Sequence, residues 1–214
     1  MIGYYNYTVV LTFMSLISAL VGITLSIDGV HLGAIACLAL SGFFDMLDGP
    51  VARTKSDRSH DERLFGIQLD SLCDLVAFGV FPVVICFNLG VKGPIGFVVL
   101  IYFAVCGVIR LGYFNVRETN NFFSEEVREK IFIGLPITSI AVVLPLIYLL
   151  STFMTEQAFI LVLHFVLLIV GTLFIGNFQV HKPKLHTLII FCVLVAIAIA
   201  AVAIIDFPHL IFEL

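Results

Sequence analysis

The chain has 214 residues, 61% of them hydrophobic and only 12% charged, with 11 Lys and Arg against 15 Asp and Glu for a formal net charge of −4. Soluble domains carry about 25% charged and 45–50% apolar residues. The excess here, a mean hydropathy of +1.15, falls in long runs and excludes a water-soluble enzyme, a disordered chain and a disulfide-stapled secreted module, while no basic surface points to nucleic acid.

At about 20 residues per span the chain holds six or seven membrane helices. In chain order the apolar runs predict spans over Thr8–Ile27, Val30–Asp48, Phe65–Leu89, Pro94–Phe114, Ile133–Phe153, Gln157–Phe178 and His186–Ile205. The expected fold is therefore all-α, a polytopic transmembrane helical bundle. The last run is apolar all round and is assigned no chemistry. Residues 1–7 contain no Lys or Arg, so the first run reads as a span and not as a cleavable signal. Tyr4, Tyr5 and Tyr7 suit an interfacial aromatic belt at its entry. All five cysteines sit inside apolar segments without a C-x-x-C pair and read as buried thiols.

Lys and Arg set the orientation. Arg53, Lys55, Arg58 and Arg63 follow the second span. Arg110, Arg117, Arg128 and Lys130 flank the fourth-to-fifth connection, Lys182 and Lys184 precede the seventh span, and Lys92 stands alone among the other connections. Ten against one places the even-numbered loops and the amino terminus in the cytoplasm. The stretch Arg117–Lys130 reads equally as a short amphipathic surface helix or as a solvated loop.

The stretches FDMLDGPVAR and FGIQLDSLCD carry the chemistry. Asp45 and Asp48 are three residues apart and Asp70 and Asp74 four apart, so on helices each pair shares a face. The first pair closes the second span and the second pair opens the third, at one membrane boundary. Four converging carboxylates stay ionised only with cations among them. Hard divalent cations with oxygen ligands are the natural solution, and a pair sharing carboxylates fits. Gly49, Ala52 and Gly66 keep the backbone bare for a bulky phosphorylated ligand. Gly66 is expected near the start of the third helix, where free N–H groups attract anions. Arg53 offers a planar fork for phosphate or, alternatively, pairs with a ligand Asp. Pro50 is expected to end the second helix. The plainer alternative, interfacial carboxylates snorkelling to water, conflicts with the rarity of intramembrane carboxylates.

This pattern, D-x-x-D-G-x-x-A-R…G-x-x-x-D-x-x-x-D, resembles the signature of the CDP-alcohol phosphotransferases, integral membrane enzymes of phospholipid synthesis. All eight signature residues are present: Asp45, Asp48, Gly49, Ala52, Arg53, Gly66, Asp70 and Asp74. The twelve residues between Arg53 and Gly66 exceed the family's usual spacing, and the hydrophilic run TKSDRSHDER absorbs the excess in a longer turn. The resemblance implies a six-helix core over residues 1–180, with 181–214 adding a cytoplasmic loop and a seventh C-terminal span. It implies two Mg²⁺ or Mn²⁺ ions held by Asp45, Asp48 and Asp70, with Asp74 as a ligand or as the general base. It also implies a CDP-lipid pocket lined by Gly49, Ala52, Arg53 and Gly66, and a homodimer among membrane lipids. The site would face the cytoplasm at the cell membrane.

Outside the signature, FGIQLDSLCDLVAFGVFP, RLGYFNV and FIGLPI resemble stretches of the CDP-diacylglycerol–serine O-phosphatidyltransferase branch, which implies CDP-diacylglycerol and L-serine as substrates. Pro50 stands where that branch commonly has a basic residue. Serine needs a partner for its carboxylate, and Arg110 is the candidate, beside a snorkelling reading. Asn115 adds a hydrogen bond or caps the fourth helix. Gly134 and Pro136 are expected to loosen the fifth span beside the cavity, and His164 to serve packing or an interhelical hydrogen bond. Glycerol 3-phosphate, inositol phosphate or choline as acceptor keeps the same site. A divalent-cation transporter is the reading from another class, and it predicts carboxylates near the bilayer midplane.

Overall fold

The computed structural model describes residues 3, 4, 6–52, 54, 55, 57, 59–123 and 131–181. A 3₁₀ turn, Tyr7–Val9, leads into α1 (Val10–Ile27), followed by α2 (His31–Ala52) and α3 (His60–Asp74). A π-helical stretch, Leu75–Val80, joins α3 to α4 (Phe81–Asn88), and α5 (Gly93–Phe123) follows. α6 (Ile140–Leu150) lies between the 3₁₀ turns Ile137–Ser139 and Ser151–Phe153, and α7 (Glu156–Ile175) completes the bundle. Two three-residue strands, β1 (Ile131–Ile133) and β2 (Gln179–His181), pair antiparallel with Phe132 opposite Val180. They are a small addition to an otherwise all-α fold.

Among the described residues five helical stretches are long and apolar enough to cross a membrane: Tyr7–Ile27, His31–Ala52, His60–Asn88, Gly93–Asn120 and Glu156–Ile175. Ile137–Phe153 is a shorter apolar helix. These account for six of the seven expected spans and make the chain an integral membrane protein. The expected seventh span, His186–Ile205, and the loop before it lie outside the described residues.

Helices in lipid gain little from apolar burial against one another, so close packing and interhelical hydrogen bonds decide which faces meet. The buried face of α1 is a stripe of small residues, Thr12, Ser15, Ser18, Ala19, Gly22 and Ser26. Against α2, Ser15 Oγ donates to the Ser41 carbonyl (3.0 Å), Ser41 Oγ donates back to the Ser15 carbonyl (2.7 Å), and Ser18 Oγ donates to the Cys37 carbonyl (2.9 Å). At the far end Asn88 Nδ2 donates to Ser26 Oγ at 3.0 Å and closes α4 onto α1.

Pro82 explains the π-helical stretch. It lacks an N–H and its ring crowds the carbonyl four residues back, so the ladder widens before it; the Phe81 N–H accordingly reaches the Val76 carbonyl. The wide turn sends the fully buried Phe81 into the α1–α2 groove. A Cβ on Gly22 would stand 2.1 Å from Phe81 Cζ and 2.7 Å from Cys37 Cβ. Gly22→Ala is therefore expected to destabilise the protein by roughly 1–3 kcal/mol, read as a lower melting temperature in detergent, and Phe81→Leu in the same chain should recover part of that loss.

Several expected boundaries shift. The third helix begins at His60, not Phe65, because Ser59 and Glu62 form a capping box: the Glu62 N–H donates to Ser59 Oγ (3.2 Å) and the Ser59 N–H to Glu62 Oε2 (3.1 Å). The second helix runs through Pro50 to Ala52. The fourth continues past Phe114 to Phe123, so the first residues of the Arg117–Lys130 stretch extend α5. The fifth span is shorter than expected. Gly134 precedes it with φ +72°, and its N–H donates to the Phe178 carbonyl at 2.8 Å. It links β1 to the helix and does not loosen a helix from within. The His164 imidazole bonds the Ile160 carbonyl of its own helix at 2.7 Å, not a neighbouring one.

Candidate metal centre and active site

The last turns of α2 carry Asp45 and Asp48, and α3 carries Asp70 and Asp74. With α3 starting at His60, the second pair stands in the third and fourth turns of its helix and does not open it. Asp70 to Asn88 is about 28 Å of helix at 1.5 Å per residue, close to the hydrocarbon thickness of a bilayer. A span over residues 70–88 would leave the turns before Asp70 beyond the hydrocarbon.

Asp45, Asp70 and Asp74 are half-buried, and each offers a carboxylate oxygen within 4.8 Å of the other two. Ligands about 2.0–2.6 Å from one shared cation lie up to about 5 Å apart. Among the described residues the ion pairs are Lys55–Glu62 at 3.4 Å and His60–Asp61 at 3.6 Å, so neither neutralises this cluster. Three converging carboxylates without a basic partner among the described residues are a donor set that fits a hard divalent cation. Asp48 is buried at 8% exposure and stands outside that trio. Its Oδ2 accepts a hydrogen bond from Thr12 Oγ1 of α1. Thr12 is absent from the residues singled out in the sequence; the signal that could have exposed it is the stripe of small and hydroxyl residues along the first span.

Among the described residues, a Cβ built on Gly49 or Gly66 meets nothing within 4 Å. They border open space and are not packing glycines, in contrast to Gly22 and to Gly42, whose Cβ would lie 2.6 Å from Ala141 Cβ. Gly66 does not contribute free N–H groups, however. It lies in the second turn of α3, inside the hydrogen-bonded ladder, and the capping box closes the true helix start. Ala52 is the last residue of α2, and Arg53 lies outside the described residues. The amino-terminal segment rests on this corner, with Tyr7 Oη 3.0 Å from Thr54 Oγ1 and the Tyr4 ring 5.7 Å from that of Phe65.

α5 packs alongside α3 at this level. Asn115 is not a cap, because the helix continues beyond it. Its Oδ1 accepts from Ser71 Oγ, and its Nδ2 donates to Gln68 Oε1 at 3.4 Å. Eight residues deeper on each helix, a Cβ on Gly107 would lie 3.8 Å from Gly79 Cα. These two crossings put Arg110 level with Val76, about 3 Å deeper than Asp74. Arg110 is buried at 6% exposure, and its guanidinium stands 6.0 Å from the centre of the Phe114 ring.

Comparison with known proteins adds to this geometry. Residues 5–174 match the family model described as CDP-alcohol phosphatidyltransferase. The chain is 42% identical over 107 residues to a Saccharomyces cerevisiae protein named CDP-diacylglycerol–serine O-phosphatidyltransferase, covering 49% of this chain and 37% of that protein. A Helicobacter pylori protein of the same name is 37% identical over 156 residues, covering 70% and 59% respectively. A Methanothermobacter thermautotrophicus protein named archaetidylserine synthase is 36% identical over 162 residues, covering 74% and 65%. The matched region thus spans between 37% and 65% of the length of these relatives.

Proposed function

The chain belongs to the CDP-alcohol phosphatidyltransferase family, and from that premise we propose that it transfers a phosphatidyl group from CDP-diacylglycerol to the hydroxyl of L-serine, releasing phosphatidylserine and CMP. The observation that carries this reading is the convergence of Asp45, Asp70 and Asp74 within 4.8 Å, beside two signature glycines that border open space. The relatives above support serine as the acceptor, since all three names contain it; they differ in the lipid, phosphatidyl in two and archaetidyl in the third.

Two Mg²⁺ or Mn²⁺ ions held by the four aspartates would neutralise the diphosphate and the charge left on departing CMP. Asp45 and Asp70 hold their carboxylates toward one point from two different helices. Gly49 and Gly66 let the diphosphate approach the backbone, and Arg53 pairs with a phosphate oxygen. Asp74 takes the proton of the serine hydroxyl as its oxygen bonds to the β-phosphorus; the bond from that phosphorus to the bridging oxygen breaks, and CMP leaves with the electron pair. Arg110, at nearly the depth of Asp74, receives the serine carboxylate. Asn115 acts on the same pocket by fixing α5 against Ser71 and Gln68. The excess of Lys and Arg in the even-numbered loops supports a site on the cytoplasmic face of the cell membrane. The homodimer implied by the family resemblance is part of this proposal.

The test is CMP release from CDP-diacylglycerol by purified protein in detergent with Mn²⁺, offering serine, glycerol 3-phosphate, inositol phosphate and choline separately. Release with serine alone, with phosphatidylserine as product, is the expected result. Release with another acceptor would keep the catalytic site and discard serine. No release with any of them, from folded protein, would overturn the reading.

A further inference from the structure

We propose that Thr12, in the first span, is a positioning residue for Asp48: its hydroxyl fixes the orientation of the Asp48 carboxylate beside the metal site. This rests on the reading of Asp48 as a metal ligand given above. The signature residues all come from α2, the α2–α3 turn and α3, and none comes from α1. Yet Thr12 Oγ1 donates to Asp48 Oδ2 across the α1–α2 seam, with Thr12 only 5% and Asp48 8% exposed. A hydroxyl bonded to a buried carboxylate holds one of its oxygens in place and so restricts the orientation in which the group can meet a cation. The neighbouring seam bonds differ in kind. Ser15, Ser41 and Ser18 bond backbone carbonyls or one another, which holds the helices together without touching a signature residue.

That difference separates positioning from packing. Mn²⁺ binding to metal-free full-length protein in detergent, read from the paramagnetic resonance signal of free Mn²⁺, is compared for wild type, Thr12→Val, Thr12→Ser and Ser15→Ala. Loss of an outer-shell partner of this kind costs about 10–100-fold in metal affinity. Thr12→Val is expected to weaken Mn²⁺ binding by that factor and to raise the Mn²⁺ concentration for half-maximal CMP release in parallel. Thr12→Ser keeps the hydroxyl and should retain near-normal affinity. Ser15→Ala should lower the melting temperature while leaving Mn²⁺ affinity unchanged. Should Thr12→Val fail to fold, Thr12→Ala removes the same hydroxyl and the same loss is expected. Wild-type affinity in the Thr12 variants, or an equal loss in Ser15→Ala, would overturn the proposal and leave the metal-site reading intact. Absence of Mn²⁺ binding by the wild-type protein would overturn both.

Discussion

Asp74→Asn is expected to lower CMP release by about 10²–10⁴-fold, the contribution of a well-placed general base, while Mn²⁺-dependent binding of CDP-diacylglycerol changes little. Asparagine preserves the shape of the side chain and can still offer an oxygen, but it cannot take a proton from the serine hydroxyl at neutral pH. Asp74 shares the cluster with Asp45 and Asp70 and follows Asp70 by one helical turn on α3, which under the proposed mechanism sets it beside the metals and the reacting phosphorus. Turnover and lipid binding are measured on the same preparation, the first by CMP release and the second by titration calorimetry in detergent. Loss of turnover with binding retained identifies a base. Loss of both identifies Asp74 as chiefly a ligand, and the proton acceptor must then be sought elsewhere in the pocket.

Chelation is the second large effect. Treatment with EDTA should abolish activity, and Mg²⁺ or Mn²⁺ should restore it. The reason lies in the electrostatics of the cluster: three half-buried carboxylates within 4.8 Å of one another, without an ion-pair partner among the described residues, repel one another unless a cation intervenes. The same linkage should appear in stability. A cation that binds only the folded state at 100 times its dissociation constant adds about 2.7 kcal/mol, so the melting temperature in detergent should rise on adding Mn²⁺ and fall on chelation. In Asp45→Asn the rise should shrink sharply. Activity that survives thorough chelation would remove the metal from the mechanism altogether.

Most of the bundle and half of the site are legible in the sequence, for a physical reason. Length and hydropathy report where a helix must be shielded from water, and α1, α2 and α7 fall close to their expected runs. Hydropathy is blind to helix that leaves the hydrocarbon. The first turns of α3 and the last turns of α5 are polar and read as loop, although Ser-His-Asp-Glu at the start of α3 spells a capping box. That omission misplaced the start of the third helix and, with it, the assumed free N–H groups at Gly66. The paired aspartates were legible because i, i+3 and i, i+4 spacings put them on one face without tertiary information. Thr12, and the engagement of Asn115 with Ser71 and Gln68, depend on which helices lie side by side, and local patterning does not carry that.

The wide turn at Leu75–Val80 divides the third membrane crossing into two angular frames. Above it, rotation about the helix axis is dictated by where Asp70 and Asp74 must point; below it, by where Phe81 must enter the notch at Gly22. One residue of α-helix turns the chain by about 100°, so without the extra residue in this stretch the lower half would swing by that angle and Phe81 would face away from α1. The offset uncouples the two requirements. Substitutions that retune the half packed against α1 should leave the carboxylates aimed as before, and the half that carries them can vary without prying the helix from its neighbours.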